Sequence, residues 1–219
     1  MKVMILAAGR GKRLRPLTDA KPKPLVAVGG EALIVRHIKS LARFGLDDIL
    51  INIAWLSEQI VAALGDGKRF GVSISYSDEG EALETGGGIY RALKWLGSQP
   101  FLVVNGDILT DYEFSRLPSE PQALAHLVLV PKPAEKAAGD FSLRDGLVSN
   151  CDPGLTFSGI GVYRPELFAD CESESFPLAP LLRRWVDKSR VSGELHPGRW
   201  HDVGTVDRLE ALNQELLQA

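Results

Sequence analysis

An unbroken apolar run, Val3-Met4-Ile5-Leu6-Ala7-Ala8, passes without any spacer into a glycine-bearing, strongly basic loop, Gly9-Arg10-Gly11-Lys12-Arg13-Leu14-Arg15-Pro16. A run with no polar alternation suits a strand covered on both faces, which is the habit of parallel sheets flanked by helices. The loop then stands at the carboxyl end of that strand, where open α/β sheets bind their ligands. Gly9 and Gly11 allow a tight turn and a close approach of backbone N–H groups to a phosphate. Lys12, Arg13, Arg15 and Lys23 add the positive charge that a polyphosphate attracts.

The downstream pattern supports the same architecture. Helical spacing of Leu33, Ile34, Ile38, Leu41 and Phe44 predicts a helix over Glu31–Phe44, with Gly45 as its stop. Asp48–Ile53 reads as a second buried strand and Ser57–Leu64 as a helix with Ser57 at its N-cap. Val72–Tyr76 alternates as a strand. Thr85-Gly86-Gly87-Gly88 reads as a glycine-rich turn opening a helix from Ile89 to Leu96, and Pro100–Asn105 as a further buried strand. This β-α-β-α-β-α-β order predicts a Rossmann-like, doubly wound sheet with right-handed crossovers. In the second half Ala123–Val130, Phe141–Val148 and Phe157–Tyr163 read as strands of a mixed extension. Pro165–Phe168 reads as a helical turn, and Leu178–Trp185 and Val206–Leu217 as helices. The expectation is one domain over 1–219, with a nucleotide-binding half (1–110) and a sugar-binding and lid half (111–219).

Composition narrows the function. Of 219 residues, 45% are hydrophobic and 24% charged, so the chain can bury an ordinary globular core. The net charge of −3 confines the basic character to one loop, which disfavours a nucleic-acid partner. No apolar stretch approaches the ~20 residues of a membrane span. Cys151 and Cys171 form neither a metal spacing nor a disulfide framework, which fits a reducing, cytoplasmic setting.

Two acids complete the candidate site. Asn105-Gly106-Asp107 ends a buried strand, so Asp107 is expected in the crevice facing the basic loop, placed to hold Mg²⁺ against phosphate oxygens. Asp202, in Trp200-His201-Asp202-Val203-Gly204-Thr205, is the second candidate ligand.

These motifs, from Leu6 to Thr18 with Pro22-Lys23-Pro24, then Asn105-Gly106-Asp107 and Asp202-Val203-Gly204-Thr205, resemble in order and spacing those of the sugar-1-phosphate nucleotidyltransferases. Leu83-Glu84-Thr85-Gly86-Gly87-Gly88 and the closing motif look most like the compact branch that joins UTP to N-acetylmuramate-1-phosphate in cell-wall recycling. No hexapeptide repeat announces the left-handed β-helix carried by some relatives. The resemblance implies that Ala7, Ala8, Gly9 and Gly11 hold the nucleotide, and that Lys12 and Arg13 grip its outer phosphates. By the same resemblance Lys23 contacts the α-phosphate or the sugar phosphate and steadies transition-state charge, Glu81–Gly87, with Glu81 and Gly86 as its nucleotide-binding residues, lies against the base, and Asp107 and Asp202 hold Mg²⁺. Arg13, Lys23 and Asp107 become the expected catalytic set, and Asn105, Gly139, Asp140 and Asn150 the sugar-facing set. The family's Glu-Lys-Pro motif is absent: the corresponding stretch, Leu147 to Pro153, has no lysine, and Asn150 stands as its replacement. Small-molecule substrates and a monomer or weak homodimer are expected. Alternatives of the same fold are a mannose-1-phosphate guanylyltransferase or another sugar- or choline-phosphate nucleotidyltransferase. A non-catalytic nucleotide-sugar sensor is the alternative of another class.

Overall fold

A computed structural model describes residues 1–172 and 174–217. In chain order the elements are β1 (Val3–Leu6), α1 (Leu17–Ala20), β2 (Ala27–Val28), β3 (Glu31–Ala32), α2 (Leu33–Arg43), β4 (Asp48–Ile53), α3 (Ser57–Leu64) and β5 (Ser73–Asp78). Then follow α4 (Glu84–Leu96), β6 (Phe101–Asn105), β7 (Ile108–Thr110), β8 (Ala125–Pro131), β9 (Ser142–Arg144), β10 (Leu147–Ser149) and β11 (Leu155–Tyr163). The chain ends with α5 (Leu178–Val186), β12 (Val191–Leu195), β13 (Trp200–Asp202) and α6 (Val206–Leu217).

Nine strands form one sheet in the order β5-β4-β1-β6-β11-β8-β12-β10-β9. The first four are parallel, and β11 enters antiparallel between β6 and β8, so the sheet is mixed as well as doubly wound. The apolar run at the amino end is explained by this sandwich. Val3 and Ile5 pack with Ile34, Ile38 and Leu41 of α2 on one face, while Met4 packs with Ile89, Ala92 and Leu96 of α4 on the other. Alternation of side chains along a strand makes both sets apolar. The strand order reverses between β1 and β6, which opens a crevice at their carboxyl ends. Leu6 stands level with Asn52 on one neighbour and Asn105 on the other.

Several elements depart from the sequence expectation. β1 ends at Leu6 rather than Ala8, because the Ala7 N–H leaves the ladder for the side chain of Asn52. Glu31 and Ala32 pair with Ala27 and Val28 as a small ribbon before α2 begins. Leu56, not Ser57, is the N-cap of α3, in the left-handed region at φ 51°, and no side chain caps it. α4 starts at Glu84, so Gly86, Gly87 and Gly88 lie inside a helix rather than in a turn. Phe141–Val148 divides into the hairpin β9–β10, turned at Asp145 and Gly146, both with positive φ as such a two-residue turn requires.

Candidate active site

The register places a cavity of about 200 Å³ over the carboxyl ends of β1, β4 and β6. Its wall includes Ala7, Ala8, Gly9, Lys23, Asn105 and Asp107 from the expected set, joined by Asn52, Glu79 and Thr85. The basic loop is held from both ends. Leu14 N–H and Thr18 Oγ1 both donate to the Gly11 carbonyl, at 2.9 and 2.8 Å. Gly11 sits at φ +66°, and a Cβ there would lie 3.0 Å from Thr18 and 3.1 Å from Lys23. Glycine at this position therefore serves the fold of the loop as well as its reach. Trp55 Nε1 donates to the Thr18 carbonyl at 2.9 Å, and the Arg10 guanidinium lies 4.2 Å over the same indole.

Lys23 is buried, and its Nζ donates to Asp107 Oδ2 at 2.5 Å. A lysine this buried needs a carboxylate partner, and Asp107 supplies one at the cavity wall while remaining about a third exposed itself. The Asp107 carbonyl accepts from Val203 N–H at 2.9 Å, so β13 anchors the strand that presents the acid. Just below, His37 of α2 is buried, and that burial pushes its pKa down to about 4, against a partial upward pull from the Ile108 backbone and the Asp107 charge.

A buried polar chain fixes the other wall. Ala7 N–H donates to Asn52 Oδ1 at 2.7 Å, Asn52 Nδ2 donates to Glu79 Oε1 at 2.7 Å, and Leu83 N–H donates to Glu79 Oε2 at 3.0 Å. Sequence reasoning passed over Asn52 and Glu79. An asparagine inside the apolar Asp48–Ile53 run was a usable signal for the first; Glu79 had none in its local pattern.

Other expected residues stand elsewhere. Lys12 and Arg13 form an exposed helical turn, with the Arg13 guanidinium over Gly204. Glu81 is exposed and outside the cavity wall. Gly86 faces Phe176, where a Cβ would stand 2.4 Å from the ring, so its smallness serves packing. Asp140 accepts from Phe157 N–H at 3.0 Å and pairs with Lys136 at 2.6 Å, which ties the Gly139-Asp140 turn to the first residues of β11. Asn150 is not at the cavity: its side chain joins the Arg183 carbonyl, Asp187 and the Arg183 guanidinium, which clips β10 to α5. Asp202 pairs with Arg208, which also reaches Glu135 at 2.9 Å, and it lines a separate cavity of about 430 Å³. It therefore does not face the cavity of Asp107 in this structure.

Residues 2–141 match the nucleotidyl transferase family. This chain belongs to that family. It is 53% identical over 221 residues to an N-acetylmuramate alpha-1-phosphate uridylyltransferase of Neisseria meningitidis, covering 96% of each chain. A protein of the same name from Caulobacter vibrioides is 33% identical over 234 residues, covering 99% of this chain and 97% of that one. Among solved structures, a glucose-1-phosphate thymidylyltransferase-type protein from Bacillus anthracis superposes with a TM-score of 0.87 at 20% identity, covering 100% of this chain and 96% of that one. That likeness speaks for the fold. As a nucleotidyl transferase, the chain carries its glycine loop, its buried lysine and its strand-end acid on a single crevice. Among the described residues no helix is long and apolar enough to cross a membrane.

Proposed function

We propose that this nucleotidyl transferase joins UTP to N-acetylmuramate-1-phosphate, releasing pyrophosphate and giving the UDP-sugar. The observation that carries the reading is Lys23, buried beside Asp107 at the mouth of the Ala7–Gly9 loop. One oxygen of the sugar phosphate forms a bond to the α-phosphorus while the bond from that phosphorus to the bridging oxygen breaks in line. Pyrophosphate carries away the electron pair. The attacking phosphate is already an anion, so no side chain has to remove a proton. Catalysis is then positioning and charge stabilisation.

The backbone of Ala7, Ala8 and Gly9 receives the nucleotide, with Gly11 shaping the loop beneath it. Lys12 and Arg13 reach the outer phosphates from the exposed turn, and the displaced charge is stabilised by Arg13 together with Lys23. Asn105, with the Gly139-Asp140 turn, faces the sugar. Mg²⁺ fits the donor set, since a hard octahedral ion is commonly held by one or two carboxylates plus substrate phosphates and waters. Asp107 would hold it; Asp202 joins only by exchanging Arg208 for the ion. When bound, Mg²⁺ neutralises the triphosphate and polarises the reacting phosphoryl group. A cytoplasmic monomer or weak homodimer accompanies this reading.

The test is pyrophosphate release, crossing the four nucleoside triphosphates against a panel of sugar-1-phosphates. Release confined to UTP with the muramic sugar is the expected result. Activity with another pair replaces the substrates and keeps the reaction. Nucleotide binding without any release would leave a nucleotide-sugar sensor as the better account.

A further inference from the structure

We propose that Gly204 is a positioning residue for the reaction: its bare peptide face seats the Arg13 guanidinium and fixes that cation's place relative to Asp107. This rests on the nucleotidyl-transfer reading, in which Arg13 stabilises the displaced charge, and it gives the closing motif a task besides the carboxylate of Asp202.

Gly204 is buried, and its φ lies outside the left-handed region, so the backbone conformation does not call for glycine. What excludes a side chain is Arg13. The three atoms nearest to a Cβ placed on Gly204 are Arg13 Nη2 at 3.2 Å, Cζ at 3.4 Å and Nη1 at 3.4 Å. Three atoms of one plane at nearly equal distance lay the guanidinium flat over the glycine. Such a plane is weakly hydrated and rests well on a flat surface, which a side chain would abolish. Arg13 is otherwise exposed and forms no ion pair among the described residues, so no carboxylate holds it in place.

The same corner grips the acid. Val203 N–H donates to the Asp107 carbonyl at 2.9 Å, and Asp202 pairs with Ile108 across β13 and β7. Val203 is fully buried in a cluster with Leu14, Leu209 and Leu212, so the residue after Arg13 is sunk in the same core. Arg13 and Asp107 lie on separate stretches of chain, and two consecutive residues of the closing motif touch both. Their separation is then set by a buried corner rather than by two mobile side chains, as charge stabilisation at a reacting centre requires.

The experiment measures pyrophosphate release, with kcat and KM fitted separately, and urea midpoints for the wild type, Gly204→Val, Arg13→Ala and the double variant. Arg13→Ala is expected to lose about 100-fold in turnover. Gly204→Val pushes the guanidinium off its seat, so turnover should fall at least about tenfold, while the KM for the sugar phosphate changes by less than about threefold. The cycle decides: with Arg13 already removed, Gly204→Val should cost less than about twofold more. A further loss of about tenfold in that background overturns the proposal, because the valine then acts through the fold or through Asp107. Wild-type turnover in either single variant overturns it too. Gly204→Ala asks the guanidinium to give by a few tenths of an ångström and serves if the valine variant does not fold. Its expected loss is about threefold, and that loss vanishes in the Arg13→Ala background. Release from another substrate pair alone would overturn the uridylyl reading, and the cycle read with that pair would still decide this proposal.

Discussion

Gly87→Ala sets two effects of opposite sign against each other. Within a helix interior the exchange is ordinarily favourable by about 1 kcal/mol, because alanine loses less backbone freedom. Gly87 lies inside α4, so propensity alone predicts a more stable protein. The surroundings predict the reverse. A Cβ at this position would lie 2.1 Å from the Glu174 carbonyl oxygen and 3.0 Å from the Ser175 Cα, and both are backbone atoms. Carbon–oxygen contacts normally begin near about 3.3 Å, so the 174–176 segment would have to retreat by about 1 Å. Such overpacking costs about 1–3 kcal/mol. The retreat also stretches the Gly87 N–H bond to the Phe176 carbonyl, 3.1 Å in the native chain, at about 1 kcal/mol more. The net is a loss of about 2 kcal/mol, or about 4–8 °C in Tm for a chain of this size. Urea unfolding of both proteins, with slope and midpoint fitted separately, measures it. A midpoint that stays or rises would show that the segment yields freely, and the close-packing account of the glycine triplet would be wrong.

Three further outcomes are expected. Asp107→Asn should lower turnover by about two to three orders of magnitude while the KM for the sugar phosphate changes little, as read by pyrophosphate release; near-normal turnover would remove Asp107 from the mechanism. Gly9→Ala meets nothing within 4 Å and has no positive φ, so its stability should stay within about 0.5 kcal/mol. Its nucleotide Kd should nonetheless rise at least tenfold, because the added methyl stands at the cavity wall; unchanged binding would move the nucleotide off this loop. His37 adds a pH dependence: its pKa falls from 6.5 to about 4 on folding, chiefly by burial. Between those values the unfolded chain binds the extra proton, so stability is full above pH 6.5 and is lost as pH falls toward 4. At about 1.4 kcal/mol for each tenfold the contribution is about 3 kcal/mol. Urea midpoints for the wild type and His37→Gln should therefore converge between pH 7 and 4.5, and parallel curves would refute the assignment.

What the sequence made legible follows from where the physics is local. β4, α3 and α6 have the bounds that apolar periodicity predicts, because each segment's own pattern specifies a face to bury. Gly9, Asn105 and Asp107 were readable for a similar reason: a buried strand delivers its next residues to the carboxyl edge whatever lies beside it; Lys23, seventeen residues past the end of β1, was readable from its charge and its Pro22-Lys23-Pro24 motif. The glycine triplet misled because its cause is tertiary. Glycine weakens a helix locally, and only the approach of residues 174–176 makes it necessary at 86 and 87. Asn150 misled in the same way, since nothing near it in the sequence says that α5 will take its amide.

Asn52 and Glu79 show the limit most clearly. Asn52 stands out only as a polar residue inside an apolar strand and Glu79 not at all, and the meaning of both lies in register. Leu6 is level with Asn52 across β1 and β4, which carries the next amide, Ala7 N–H, onto the Asn52 side chain; Asn52 is level with Ser77 across β4 and β5, which brings Glu79 within reach of its amide. A one-residue slip of β4 would send Asn52 to the opposite face and put an apolar neighbour in its place. The glycine loop would then leave its strand with an unpaired N–H, and Glu79 would be buried without its amide donor. The apolar patterning that buries β4 on both faces therefore also fixes the wall of the cavity, so that the register chosen by the core is the register the site requires.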